Sequence, residues 1–79
     1  MGVEIIRRNK LEISVEILNA AIDGAKKTHI VYSANLNFDV VNRYLEMLEK
    51  KGLIEQNEDL YMTTEEGKKF KDMANKLKL

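Results

Sequence analysis

Asn37, Asp39, Asn42 and Arg43 lie close together in the chain. Their types suggest one chemistry. Asn and Arg side chains each offer paired hydrogen-bonding groups of the shape that reads the edges of adenine and guanine. Each good pair is worth about 1–3 kcal/mol of discrimination between bases. Asp39 can accept from a cytosine amino group, or it can cap a helix. Phe38 stands among them. These residues open the longest regular segment of the chain, where a helix begins and its unpaired N–H groups point outward, as a phosphate backbone requires.

A second set supplies charge and donors. Arg7, Arg8 and Lys10 cluster near the start, and Lys26, Lys27 and Lys50 follow, all candidate point charges for phosphate. Thr28, His29 and Tyr32 are candidate phosphate partners beside them. Other chemistry has little to build on. The chain has no cysteine and a single histidine, so a Cys nucleophile and a Cys- or His-based metal cage are excluded. Glu12 and Glu16 share a face, but no third group converges on them and no glycine-rich loop could cradle a phosphate. The expectation is no catalytic residue, no metal, no cofactor and no small-molecule substrate.

Length and charge set limits. Seventy-nine residues make one domain, and a chain of that size hides only about 60% of its unfolded surface, so a partner would help it. The 13 basic and 13 acidic residues cancel, which is unusual for a nucleic-acid binder. The absence of cysteine suits a reducing compartment, and no stretch is apolar for long enough to suggest a signal peptide or a membrane span. The expected location is cytoplasmic.

The elements that must position these residues follow from periodicity. From about Arg8 to Asp23 the polar residues Glu12, Glu16, Asn19 and Asp23 form one narrow stripe on an otherwise apolar helix. A helix so little exposed should lie at the centre, with Gly24 ending it. Thr28 is the expected cap of a short helix through Ala34. Asn37 should cap the next helix, from Phe38 to about Lys51, with Gly52 ending it and Val41, Tyr44, Leu45 and Leu48 facing inward. Two β-prone runs, Leu53–Gln56 and Leu60–Thr63, flank the turn residues Asn57, Glu58 and Asp59. A last helix, capped by Thr63 or Thr64, carries Phe70, Met73, Ala74 and Leu77 on one stripe. This stripe either packs on the first helix or joins two copies of the chain, and the second arrangement is the expected one. The order is mainly α with a small β-hairpin: a winged helix-turn-helix, built as a three-helix core, a wing and a C-terminal helix.

The motifs Arg8-x-Lys10-x-Glu12-Ile13, Gly24-Ala25-Lys26-Lys27-Thr28, Arg43-Tyr44-Leu45, Leu48-x-x-x-Gly52-Leu53-Ile54 and Tyr61-x-x-Thr64-x-x-Gly67 span most of the chain. Together they resemble the small archaeal winged-helix proteins grouped with the crenarchaeal ten-kilodalton chromatin proteins. That resemblance implies a homodimer bound to double-stranded DNA, with the third helix in the major groove and the C-terminal helix paired with its mate. It leaves two roles open, a nucleoid-associated chromatin protein or a transcriptional regulator. The competing reading from composition is a winged-helix module for protein–protein interaction without DNA, which the acidic tip Glu58-Asp59 and the neutral balance would suit.

Overall fold

The computed structural model describes residues 8–77, with Leu77 described in its backbone alone. Four helices and one hairpin follow in the order α1 (Lys10–Ala20), α2 (Lys27–Ala34), α3 (Phe38–Lys50), β1 (Ile54–Asn57), β2 (Leu60–Thr63) and α4 (Glu65–Leu77). This is the winged helix-turn-helix that the periodicity implies. α1 is central, packed on α2, α3, α4 and β2. Ile17 and Leu18 from α1, Ile30 from α2, Val41 and Leu48 from α3 and Ile54 from β1 are fully buried between them.

The helix boundaries differ from expectation in instructive ways. α1 starts at Lys10 because Asn9 and Glu12 form a reciprocal capping box. The Glu12 N–H donates to Asn9 Oδ1 at 2.8 Å, and the Asn9 N–H donates to Glu12 Oε1 at 3.1 Å. α1 ends at Ala20 rather than near Asp23. Its last carbonyls are taken by the hairpin. Thr63 Oγ1 donates to the Leu18 carbonyl at 2.6 Å, and the Thr63 N–H donates to the Ala21 carbonyl at 3.0 Å. Those bonds satisfy orphan acceptors that a longer helix would have used itself. Gly24, at φ 92°, then turns the chain so that Ala25 pairs with Tyr61 as a single extra rung beside the hairpin.

Thr28 does not cap α2. The cap is Lys26, with no side-chain bond, and the helix has begun by Lys27. α2 closes on Asn35, which adopts a left-handed φ of 54°, a conformation that asparagine tolerates better than most residues. Asn37 caps α3 as expected, accepting the Val40 N–H at 2.8 Å. Gly52, at φ 75°, follows the C-cap Lys51.

The hairpin is one residue tighter than its composition suggests. Asn57 belongs to β1 and pairs with Leu60, leaving Glu58-Asp59 as a two-residue turn, with Glu58 at φ 60°. Of the two threonines before α4, Thr64 is the cap and accepts the Gly67 N–H at 3.0 Å. Its own hydroxyl donates to the Gly52 carbonyl at 2.7 Å, fastening the start of α4 to the end of α3. Thr63 is buried instead.

Candidate nucleic-acid interface

The amphipathic pattern of α3 decides which of its residues face solvent. Val41, Leu45 and Leu48 are buried and Tyr44 is half-buried, so Phe38, Asp39, Asn42, Arg43 and Glu46 are left exposed on the other side. The leading turn of α3 therefore stands clear of the domain. The Asn37 side chain satisfies one N–H of that turn. Asp39 lies in the same turn, where a carboxylate also favours the helix dipole.

α2 supplies the second edge. Tyr32 is 80% exposed and Phe38 is 49% exposed, unusual values for aromatic side chains on so small a domain. Thr28 and His29 are exposed, and Lys27 is half-buried. His29 Nε2 lies 3.2 Å from Ser33 Oγ one turn later, which holds the ring against α2. Together these residues give a polar surface with two open aromatics, running from α2 across the turn to the first two turns of α3.

Arg8 is placed differently from a free phosphate ligand. It forms an ion pair with Glu16 of α1, and it also donates to the Ala34 carbonyl at 2.7 Å and the Asn35 carbonyl at 3.2 Å. The guanidinium thus closes the C-terminal end of α2, where a cation suits the helix dipole, and ties it to α1. Lys10 is exposed on the first turn of α1. Arg7 lies outside the described residues.

Acidic groups border the interface. Glu46 and Glu49 occupy the later turns of α3, and a shallow cleft between α3 and the hairpin gathers Lys27, Arg43, Glu46, Glu49 and Tyr61. Burial raises the Tyr61 hydroxyl pKa above its ordinary value, and the neighbouring Glu49 charge adds to the effect. At the wing tip Asp59 is within 3.7 Å of Lys26, so part of the acidity of the turn is matched inside the chain.

The last helix divides its expected stripe. Ala74 is buried and Phe70 is half-buried against the core of its own chain, in the α1–α4 packing. Met73 faces outward at 62% exposure. The side chain of Leu77 lies outside the described residues. The sequence offers Thr63 as a cap and Gly67 as part of a motif, but their roles depend on distant partners, the Leu18 carbonyl of α1 for Thr63 and the Leu53 carbonyl for Gly67. Thr63 can be recognised only once the hairpin is known to reach α1.

Three helices, with the third presenting its start to solvent and a hairpin beside it, define the winged helix-turn-helix class. The chain belongs to the winged helix-turn-helix family, whose model matches residues 7–79. It is 36% identical, over 65 residues, to an uncharacterized protein of Methanocaldococcus jannaschii, a match covering 81% of this chain and 67% of that protein. Its fold is similar to that of Sso10a-2, described as a DNA-binding protein from Sulfolobus solfataricus. That match has a TM-score of 0.79 and 29% identity, and it covers 89% of this chain and 78% of the other. Among the described residues, no helix is long and apolar enough to cross a membrane, and no group of three or more His, Cys, Asp or Glu residues could hold a metal ion.

Proposed function

We propose that this protein binds double-stranded DNA by inserting the start of α3 into the major groove. The observation that carries the reading is the open leading turn of α3, where Phe38, Asp39, Asn42 and Arg43 are all exposed above a buried Val41 and Leu45. Asn42 and Arg43 read base edges through paired hydrogen bonds, and Phe38 contacts thymine methyl groups. Lys27, Thr28, His29 and Tyr32 hold the flanking phosphates, and Lys10 adds charge from α1. Asp39 caps the helix or accepts from cytosine. The likeness to a protein described as DNA-binding supports the same reading. Whether binding is selective, as in a regulator, or broad, as in a chromatin protein, turns on the weight of Asn42 and Arg43 against the phosphate contacts.

The protein acts as a homodimer in this proposal, with the seam on the outward side of α4. Met73 supports it, being exposed while Phe70 and Ala74 already serve the monomer core. The second reading is a protein-interaction module, favoured by Glu46 and Glu49 on α3 and by the acidic tip of the wing.

Fluorescence anisotropy on a labelled duplex of mixed sequence, at low salt, separates the readings. Binding in the micromolar range, weakened by Arg43→Ala about tenfold for preferred sequences and less for others, is the expected result. No binding at micromolar protein would remove DNA from the proposal and leave the interaction module.

A further inference from the structure

Away from the start of α3, two surface features have matching chemistry. The first is an apolar groove between α1, α3, α4 and the segment joining α3 to β1, floored by Leu11, Met47, Leu48, Leu53 and Phe70. Its charged lining residues among those described are Lys10 and Lys51, and no carboxylate of the described residues lines it. A neighbouring hollow shares Lys10 and Met47 and adds Arg43 and Tyr44, again with no carboxylate among the described residues. Among the described residues, Lys10, Arg43 and Lys51 take part in no ion pair.

The second feature is the outer face of the wing. The register pairs Glu55 with Met62 and Asn57 with Leu60, so these side chains share one face of the hairpin while Ile54, Tyr61 and Thr63 turn inward. Leu60 and Met62 are 40% and 41% exposed. Glu55 and Glu58 border them, and among the described residues neither is in an ion pair. The wing thus carries an apolar knob with unmatched negative charge, and the groove is an apolar slot with unmatched positive charge.

We infer that the wing of one copy docks in the α1–α3–α4 groove of a second copy. Leu60 and Met62 cover the apolar floor, and Glu55 and Glu58 meet Lys10 and Lys51. The two surfaces are different parts of the chain, so the contact is heterologous and each docked copy still offers an unused wing or an unused groove. Such a contact lets copies assemble in a row. It is distinct from a seam on α4, and it needs no DNA.

The test uses two full-length variants, each broken on one side. A nitrogen-15-labelled chain with Glu55→Lys and Glu58→Lys keeps its groove. An unlabelled chain with Lys10→Glu and Lys51→Glu keeps its wing. All four positions are exposed, so both variants should give the well-dispersed amide spectrum of the folded wild type. On titrating the second chain into the first without DNA, the labelled amides of Leu11, Met47, Lys51 and Leu53 should shift in proportion to occupancy. Added salt should reduce the shifts, because the charges that meet are exposed. An unlabelled chain carrying all four changes has no intact wing and should leave those amides unmoved. Groove amides that stay still up to millimolar partner, or shifts confined to α4, would overturn the wing-in-groove contact. Neither outcome bears on the DNA-binding reading, since no nucleic acid is present.

Discussion

Single residues fix the relative position of the wing, the C-terminal helix and the core. Gly67 shows how. It is buried in the first turn of α4, where an alanine would ordinarily help a helix by about 1 kcal/mol. A Cβ there would collide with the Leu53 carbonyl oxygen and lie 2.7 Å from Thr63 Cγ2. The first of these is backbone, held in place because the Leu53 carbonyl accepts the Thr64 N–H at 3.0 Å. Overpacking of this kind typically costs about 1–3 kcal/mol and outweighs the gain in propensity. Gly67→Ala should therefore lower the unfolding free energy by a net amount of up to about 2 kcal/mol in urea denaturation. A higher midpoint would mean that α4 is free to move away from the Leu53 carbonyl. Thr63 has a complementary role. Its hydroxyl is the partner that the end of α1 needs, across 45 residues of sequence.

At the scale of elements, distant residues close the ends of the helices. Thr63 closes α1, Arg8 closes α2, and Thr64 bonds the Gly52 carbonyl just past α3. The Arg8 contact bears most directly on the interface, because α2 and the turn after it set where α3 begins. Arg8→Ala removes a charge-assisted bond to the Ala34 carbonyl and leaves Glu16 without its partner. Bonds to charged groups contribute about 1.5–3 kcal/mol, and this one is partly buried, so thermal or urea unfolding should show a loss of about 1–2 kcal/mol. DNA affinity should fall through displacement of α3, while the slope of log affinity against log salt stays unchanged. A slope reduced by about 0.9 would instead mark Arg8 as a phosphate ligand.

The same contacts explain how much of the fold was legible from the chain. The α3 helix could be read almost to the residue, because its apolar positions, its Asn37 cap and its Gly52 stop are all local signals. The wing could be read to within a residue. The end of α1 and the cap of α2 could not. Local propensity favours carrying α1 to Asp23, and only the distant Thr63 and Tyr61 redirect the chain at Ala21 and Ala25. The exposed residues at the start of α3 were legible for the same local reason as the helix. The engagement of Arg8 was not, because it depends on where the C-terminal end of α2 falls in space.

Taken as a whole molecule, the protein carries 13 basic and 13 acidic residues, and their placement limits how tightly it can hold a polyanion. Arg8 is committed to α2 and Glu16, and Lys26 lies beside Asp59. Lys68, Lys69 and Lys71 of α4 each have a carboxylate within 4 Å. Among the described residues, the cations left beside the first turns of α3 are chiefly Lys27 and Arg43, with Lys10 next to Arg43 and Met47, while Glu46 and Glu49 on the later turns repel phosphate and keep the contact near the start of the helix. Each phosphate neutralised on duplex DNA contributes about 0.9 to the salt slope. Some three contacts per chain should thus give a slope of about −3 per protomer, far shallower than strongly basic DNA-coating proteins show. Anisotropy titrations across a range of potassium chloride concentrations measure it directly. A slope steeper than about −6 per protomer would require cations beyond this set, and the contact would then extend well past the first turns of α3. With so few phosphate contacts, base-edge bonds from Asn42 and Arg43 make up a large share of the affinity. Glu46→Lys should steepen the slope and raise affinity for all sequences by the same factor, leaving the ratio between preferred and random duplex unchanged. The same affinity for every duplex, before and after that change, would show that the start of α3 holds the backbone without reading bases.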